Sequence, residues 1–339
     1  MKVKYETDAY MVIKEEGKLI GQEKPHDALK KDDTVLIQKL KQGKGVEKSI
    51  SSAFEETGAR EIIRPGDKVA IKINLGGGIH GILPTYSDSI ICEAIIQKVK
   101  DMGGRPFVCE ADMRAHVMHD QMLKMRGYHE MLKENDVKFV NLSRYSTVEM
   151  QCLYLDVPLK LPEILLKPSV KIISFCPPKH HWECGITANQ KNMYGAIAEQ
   201  RKSLFHRKYD RIDRAVAAAA RLMSPDLNVL ATYNLGAGMG PHFCYPVPFN
   251  RVMISKDMIR GDKAMAEILG YPFELIKYAM INAKCKDVSY TLHPNSEWPS
   301  EETLKEIKDN SIDWEGVNFW KPALWFQYFV PHDFQIKVY

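Results

Sequence analysis

The chain has 339 residues, of which 45% are hydrophobic and 27% charged, and its 47 basic and 43 acidic residues leave a formal net charge of +4. This small surplus is spread along the chain and does not indicate nucleic-acid binding, and no apolar run approaches the roughly eighteen residues of a membrane span. We therefore expect a globular protein with neither a nucleic-acid nor a membrane partner.

The seven cysteines are odd in number and widely spaced, and none of them forms a CxxC pair. This spacing favours reduced thiols over a disulfide framework and excludes a local iron–sulfur or structural zinc motif. The N-terminus lacks the apolar core of a secretory signal, so we expect a cytoplasmic location.

The first half of the chain alternates between strand-like and helix-like segments. In chain order, we predict a strand at Val35–Ile37, a helix at Val46–Glu56, a strand at Val69–Ile73, a helix from about Ser87, a strand at Pro106–Glu110, a helix at Gln121–Asn135 and a strand at Val137–Asn141. Ser87 is the predicted N-cap of its helix. The order of these elements predicts a parallel, doubly wound sheet.

The second half repeats this alternation less regularly. The predicted elements are a strand at Val170–Phe175, a helix at Tyr209–Met223, strands at Leu227–Tyr233 and Arg251–Ser255, and helices from about Asp257 and Pro272. We predict a two-lobed α/β protein with parallel or mixed sheets flanked by helices. Its parts would be an N-terminal lobe at 1–150, a second lobe at 151–290 and an irregular Trp-rich tail at 291–339 that packs on the body. A homo-oligomer is compatible with this sequence.

Residues directly after strands are candidate ligand contacts, because ligands bind at the carboxyl ends of strands in open parallel sheets. The stretch IKINLGGGIHG places Lys72 and Asn74 at such an end, followed by Gly76, Gly77 and Gly78. Glycines let an anion approach the backbone closely. The stretch is neither a Walker nor a GxGxxG motif. A glycine-rich turn with Lys72 in solvent is the competing interpretation.

Two further loops follow predicted strands. In CEADMRAH, Glu110, Asp112, Arg114 and His116 could bind a polar ligand or exchange protons, or they form a solvated loop that caps the next helix. In NLGAGMGPHF, prolines follow the three glycines and deny them the helix that a dinucleotide site needs, so a glycine-rich turn is favoured.

The stretch PPKHHWECGITANQKNMYG, which follows the buried strand at Val170–Phe175, concentrates reactive residue types. His181, Lys191 and the later His206 are residues of the types that move protons, carry covalent adducts and bind metals. In the alternative interpretation the two adjacent histidines lie in a surface loop, Lys191 caps a helix and His206 is a packing residue.

The same stretch resembles the central signature of the domain of unknown function 362 family, which reads Lys-x-His, then Val-Thr-Gly-x-x-Lys-Asn-x-x-Gly, then His. The matching residues are Lys179, His181, Thr187, Lys191, Asn192, Gly195 and His206. VAIKINLGGG and SKDMIRGDKAMAEILG are similar to two further motifs of that family. In the second of these motifs, Met258 and Arg260 stand where the family has Pro and Ala. The stretch ATYNLGAGMGP lacks the Asp-Gly that usually ends this strand in the family. Many members carry a ferredoxin-like cluster motif that is missing here.

The strand-end loops and this resemblance together give the candidate substrate-binding residues Lys72, Asn74, Gly76, Gly77, Lys179, Thr187, Asn192 and Asp262. HWECGITANQKNMYGAIAE also resembles, more distantly, the nickel-pincer lactate racemase family. That resemblance implies that His181 is an acid/base, that Lys191 carries a pyridinium-derived cofactor, that His206 ligates nickel and that His116 is a second acid/base.

The leading hypothesis is a cytosolic enzyme that acts on a small anionic or polyhydroxy metabolite by His/Lys proton or hydride chemistry, as a racemase or epimerase does. Its cofactor would be a metal such as nickel or iron, or a group linked to a lysine. A metal-dependent or cofactor-free lyase or transferase would use the same residues. A non-enzymatic ligand-binding or redox-partner protein is the third hypothesis.

Overall fold

The computed structural model of the chain describes residues 2–76, 83–113, 117–206, 208 and 210–311. The candidates Gly77 and His116 lie outside the described residues, and so do Gly78, Arg114 and most of the predicted Trp-rich tail. Within the described ranges, no helix is long and apolar enough to cross a membrane.

The strands are short except for two long neighbours near the middle of the larger sheet. They are β1 (Lys2–Glu6), β2 (Tyr10–Glu15), β3 (Lys18–Glu23), β4 (Thr34–Lys39), β5 (Lys68–Lys72), β6 (Arg105–Glu110), β7 (Phe139–Asn141), β8 (Thr147–Gln151), β9 (Leu159–Pro162), β10 (Val170–Cys176), β11 (Lys179–His181), β12 (Gly185–Thr187), β13 (Leu227–Met239), β14 (Phe243–Ser255) and β15 (Thr291–Leu292).

The α-helices connect these strands and cover the larger sheet. They are α1 (Val46–Glu56), α2 (Ala59–Ile62), α3 (Ser89–Asp101), α4 (Asp120–Met125), α5 (Tyr128–Glu134), α6 (Glu163–Leu166), α7 (Asn189–Tyr194), α8 (Ser203–His206), α9 (Arg211–Leu222), α10 (Met258–Leu269), α11 (Lys277–Asn282) and α12 (Glu301–Asp309).

The described strands form two sheets. The smaller has the order β1-β2-β3-β8-β9, and the larger runs β15-β4-β14-β13-β10-β5-β6-β7 with the hairpin β11–β12 attached to β13. From β13 to β7 all pairings are parallel, whereas β14 is antiparallel to both β13 and β4. The predicted α/β class, with parallel or mixed sheets flanked by helices, is confirmed: the larger sheet is mixed.

Both sheets take strands from each side of the predicted boundary near residue 150. β3 pairs with β8 and β9 follows in the smaller sheet, while β5 lies between β6 and β10 in the larger one. The segments 1–150 and 151–290 therefore share sheets, and their division into separate lobes stays a prediction.

The core lies on both faces of the larger sheet, because successive residues of a strand point to opposite faces. In β5, Val69 and Ile71 pack in one buried cluster and Ala70 packs in the other. In β10, Ile173 and Phe175 likewise face away from Ile172 and Cys176. The central residues of such strands are apolar on both faces because helices cover both faces of the sheet.

Some local predictions were wrong. Asp88, not Ser87, caps α3, since its carboxylate accepts the Ile90 N–H at 2.8 Å. Ser87 instead accepts the Asn74 N–H and donates to the Phe175 carbonyl, which ties the end of β5 to that of β10. The predicted helix at Gln121–Asn135 is two helices, α4 and α5, broken at Gly127 with φ +74°.

The glycine-rich turn predicted in NLGAGMGPHF is mostly strand. β13 continues through Gly236 and Gly238 to Met239, and the turn into β14 begins only at Gly240. A Cβ on Gly236 would lie 2.7 Å from Cβ of Lys179. The glycine thus lets β11 pack closely against β13, with Lys179 opposite it in the parallel register.

Candidate functional site

A buried ion pair lies where β5 and β6 end. Lys72 is the last residue of β5 and Glu110 the last of β6, and parallel pairing brings both to one edge of the sheet. Nζ of Lys72 lies 3.0 and 3.1 Å from the two carboxylate oxygens and donates to the Ile73 carbonyl at 2.6 Å. Both side chains are buried, so the interpretation that Lys72 lies in solvent was wrong.

Asn192, from α7, hydrogen-bonds to both Lys72 and Asn74 in this cluster. Its Oδ1 accepts from Nζ of Lys72 at 3.3 Å and from Nδ2 of Asn74 at 3.4 Å. Its Nδ2 donates to the Lys72 carbonyl at 3.1 Å and to Oγ of Ser174 at 2.9 Å. Oδ1 of Asn74 also accepts the Gly76 N–H at 3.2 Å, which orders the start of the glycine loop. The structure thus brings together Lys72, Asn74, Gly76 and Asn192.

Lys179 on β11 is a buried lysine that has no carboxylate partner within the described ranges. Its side chain is 1% exposed, and Nζ lies 3.5 Å from Oδ1 of Asn74 and 3.5 Å from the Pro177 carbonyl. Burial lowers the pKa of Lys179. Thr187 pairs with Lys179 in the β11–β12 register, and its buried Oγ1 has no hydrogen-bond partner within the described ranges. Both residues therefore have polar atoms available to a ligand.

Lys202 belongs to the same region, although its sequence context gave no indication of this. The side chain is 4% exposed, and Nζ donates to the Asp112 carbonyl at 2.8 Å. Burial lowers its pKa to about 8, while the Glu110 carboxylate opposes this change. Only its position in the fold, beside the end of β6, marks it as part of the site.

His181 is held as one neutral tautomer. Its Nδ1 accepts the backbone N–H groups of Glu183 and Cys184, both at 3.2 Å, so the ring proton lies on Nε2. Burial, together with the positive charge of Lys191, holds the pKa of His181 well below its usual range. In this geometry Nε2 is a hydrogen-bond donor rather than a base.

His180, its neighbour, has a structural role and does not lie in a surface loop. Its Nε2 donates to the Leu269 carbonyl at 2.8 Å, and its Nδ1 accepts the Gly238 N–H at 3.1 Å. Burial lowers the pKa of His180 to about 4, so the ring is neutral at physiological pH. It joins β11 to α10 and β13.

Lys191 and His206 meet around Tyr194. Nζ of Lys191 lies 4.4 Å from the centre of the Tyr194 ring and, as far as the structure describes the chain, has no hydrogen-bond or ion-pair partner. The Tyr194 hydroxyl lies 3.5 Å from Nε2 of His206. Nδ1 of His206 donates to the Glu183 carboxylate, with distances of 2.7 and 2.9 Å. Glu183 thus directs Nε2 of His206 as a proton acceptor.

The predicted metal ligand His206 has Nδ1 engaged by Glu183, and its Nε2 lies 3.5 Å from the Tyr194 hydroxyl. Within the described ranges, no group of three or more His, Cys, Asp and Glu side chains is arranged to hold a metal ion. The free amine of Lys191 is compatible with a covalently attached group. A metal at His206 and a cofactor on Lys191 stay predictions.

Asp262 contacts the first turn of α7 rather than the lysines of the site. Its carboxylate accepts the Asn189 N–H at 2.7 Å and the Gln190 N–H and side-chain amide at 3.2 and 3.0 Å. Burial raises its pKa to about 7, against the effect of these donors. Asp262 fixes the first turn of α7 and so positions Lys191 and Asn192.

The protein-family comparison matches the domain of unknown function DUF362 over residues 69–267, more than half of the chain. This chain is a DUF362 protein. The match contains the β5 end, the β6 end and the whole His181–His206 segment, so the residues described above lie within the DUF362 region.

Two other comparisons concern proteins that are larger than the matched region. The DUF362 chain is 23% identical over 227 residues to a thylakoid-associated protein of Synechocystis sp., a match that covers 62% of this chain and 66% of that protein. The lactate racemase apoprotein from Thermoanaerobacterium thermosaccharolyticum has a TM-score of 0.45 and 15% identity, over 77% of this chain and 62% of the other. The chain spans just under two thirds of the length of each.

The geometry of the DUF362 site gives two groups of residues joined by α7. The first comprises the buried Lys72–Glu110 pair and its amide partners, with the ammonium groups of Lys179 and Lys202 nearby. The second comprises His181, Lys191, Tyr194, His206 and Glu183. Sequence reasoning missed Glu183 and Tyr194, which lie within PPKHHWECGITANQKNMYG, and Lys202, which follows it.

Proposed function

We propose that this chain is an enzyme that binds a small anionic or polyhydroxy metabolite beside Lys179 and moves a proton at one of its carbon atoms, as in racemisation or epimerisation. The observation that carries the proposal is the buried ammonium group of Lys179, whose contacts among the described residues are an amide oxygen and a backbone carbonyl, each at 3.5 Å. A buried charge without a counterion is costly unless a ligand supplies one.

Two histidines with opposite hydrogen-bond character support proton transfer. His206, directed by Glu183, takes a proton through Nε2 from the carbon next to a carboxylate or carbonyl group. The electron pair moves to the substrate oxygen, to which the neutral His181 donates a hydrogen bond through Nε2. Return of the proton to the carbon gives the same compound or its epimer.

The same first step also serves a lyase, in which a leaving group departs from the neighbouring carbon. The two outcomes differ in their products, because elimination gives an unsaturated compound and epimerisation does not. Metal analysis of the purified protein separates a metal-dependent from a cofactor-free form of either reaction.

The proposal is tested by hydrogen exchange in D2O, with lactate, glycerate and gluconate as probes and loss of the C2–H proton signal as the measurement. We expect His206→Gln to slow exchange by about 100-fold or more, and Lys179→Met to raise the concentration that gives half-maximal rate. Arg60→Gln, an exposed residue that contacts Glu55, is the control and should exchange like the parent. Exchange with none of the probes, or an unchanged rate in His206→Gln, would contradict the proposal.

A further inference from the structure

A cleft of about 610 Å³ lies along α9, and its lining residues are not among those of the DUF362 site. Its volume is in the range of pockets that hold small organic ligands. The residues of its lining that matter here are Leu153, Tyr154, Arg214, Arg221, Ile281 and Lys284. None of them contacts the Lys179 or His206 groups in the hydrogen bonds and ion pairs described above.

The charges in this cleft favour an anion. Arg214, Arg221 and Lys284 are cationic, and two of these charges face a carboxylate, Arg221 that of Glu23 at 2.6 Å and Lys284 that of Asp27 at 3.8 Å. Arg214 donates to the Tyr154 carbonyl at 3.2 Å and has no carboxylate partner in the described part of the chain. Its guanidinium group is therefore available to a ligand anion.

Arg221 presents a second guanidinium group that is already held in place. It donates to Glu23 through Nε and to Asn282 through Nη1, both at 2.6 Å, and its Nη2 also lies 2.6 Å from Glu23. Of the five guanidinium N–H groups these contacts use three, which leaves two without a partner among the described residues. Because Glu23 and Asn282 are buried, the group is ordered before any ligand binds, and this lowers the entropic cost of binding.

The two arginines lie on the same side of α9, because a spacing of seven residues is two helical turns, or about 10 Å along the axis. Tyr154 bridges them, since its carbonyl accepts from Arg214 and its ring centre lies 5.7 Å from the guanidinium carbon of Arg221. Leu153 and Ile281 add apolar surface beside Tyr154. An apolar or planar group of a ligand can pack against Tyr154, Leu153 and Ile281, and an acidic group of the same ligand can contact the two guanidinium groups.

We propose that this cleft is a second ligand site, which binds a small organic anion carrying an apolar or planar group. The ligand's carboxylate or phosphate contacts Arg214 and Arg221, and its apolar part lies against Tyr154, Leu153 and Ile281. The proposal does not depend on the reaction at the DUF362 site.

The test uses phenyl phosphate as the probe and isothermal titration calorimetry as the measurement, on the Lys179→Met chain so that the first site does not contribute. We expect saturable binding, at least tenfold weaker in Lys179→Met/Arg214→Gln, because one charge-assisted contact is lost. Gln at 214 still has an amide N–H for the Tyr154 carbonyl. Lys179→Met/Arg60→Gln removes an exposed arginine elsewhere and should bind like Lys179→Met.

Inorganic phosphate should bind at least tenfold more weakly than phenyl phosphate, since it lacks the planar group. The proposal is overturned if phenyl phosphate shows no saturable binding to Lys179→Met, if Arg214→Gln binds as tightly as Arg60→Gln in that background, or if inorganic phosphate binds equally well.

Discussion

Lys72 and Lys179 are both fully buried lysines of one site, yet their replacement by methionine should change stability in opposite directions. Methionine has a similar volume and no charge, so packing is nearly preserved. Nζ of Lys179 has two amide or backbone oxygens at 3.5 Å and no carboxylate within the described residues. Removing this charge removes an uncompensated desolvation penalty, and we expect Lys179→Met to raise the free energy of unfolding by about 1–4 kcal/mol.

Lys72→Met removes the partner of a buried carboxylate. Glu110 is 1% exposed and would retain the N–H groups of Leu75 at 3.2 Å and Ala111 at 2.9 Å. Breaking a buried ion pair in this way leaves an uncompensated charge, and we expect the free energy of unfolding to fall by about 3–5 kcal/mol.

Urea unfolding followed by circular dichroism measures both changes at pH 7, and a pH series adds a second check. The pKa of Lys179 is lower in the folded than in the unfolded state, so the unfolded chain binds more protons between the two values. The parent therefore gains stability as pH rises through that window, and its difference from Lys179→Met should shrink towards pH 10. A Lys179→Met chain less stable than the parent would refute the reasoning.

Two further predictions concern the same region. At Gly195, with a helical φ of −57°, an added Cβ would lie 2.9 Å from Nζ of Lys72 and 3.0 Å from the Asn192 carbonyl. Gly195→Ala should therefore displace the Lys72 ammonium and lower the free energy of unfolding by about 1–3 kcal/mol, although the helical backbone itself favours Ala. An unchanged urea midpoint would contradict this prediction. His180, with a pKa of about 4, should stay neutral in an NMR titration down to pH 5, with the signal assigned from His180→Gln. Because the pKa of His180 is lower in the folded than in the unfolded state, the free energy of unfolding should fall as pH drops from about 6.5 towards 4, by about 3 kcal/mol in total. An imidazolium signal at pH 6 would exclude the buried geometry.

The parallel part of the fold could be predicted because its strands are apolar on both faces and helices of clear period separate them. Val46–Glu56 was predicted with the bounds that α1 has. The smaller sheet was missed because β1 is rich in Lys and Glu and mostly exposed, while the buried positions of β3 are Gly21 and Glu23, so neither strand has a clear apolar alternation. Strands of that kind are defined by their partners rather than by their own composition.

In the candidate site, too, the features that depend on tertiary contacts could not be predicted from the sequence. Residue types and spacing singled out His181, Lys191 and His206, and the structure places these residues around one region. Spacing carried no information about which ring nitrogen of His181 holds the proton, because the backbone N–H groups of Glu183 and Cys184 decide it. Lys202 is part of the site only through burial, a tertiary property that its neighbours in the chain do not encode.

The position of β4 in the larger sheet bears on how the chain is synthesised and folded. β4 is made early, at Thr34–Lys39, but its partners are β14 at Phe243–Ser255 and β15 at Thr291–Leu292. A nascent chain that has reached residue 150 therefore exposes an apolar strand whose neighbours do not yet exist. Contacts so distant in sequence slow folding and leave unpaired edges in the meantime. Separately expressed halves should aggregate alone and recover structure only when they are refolded together.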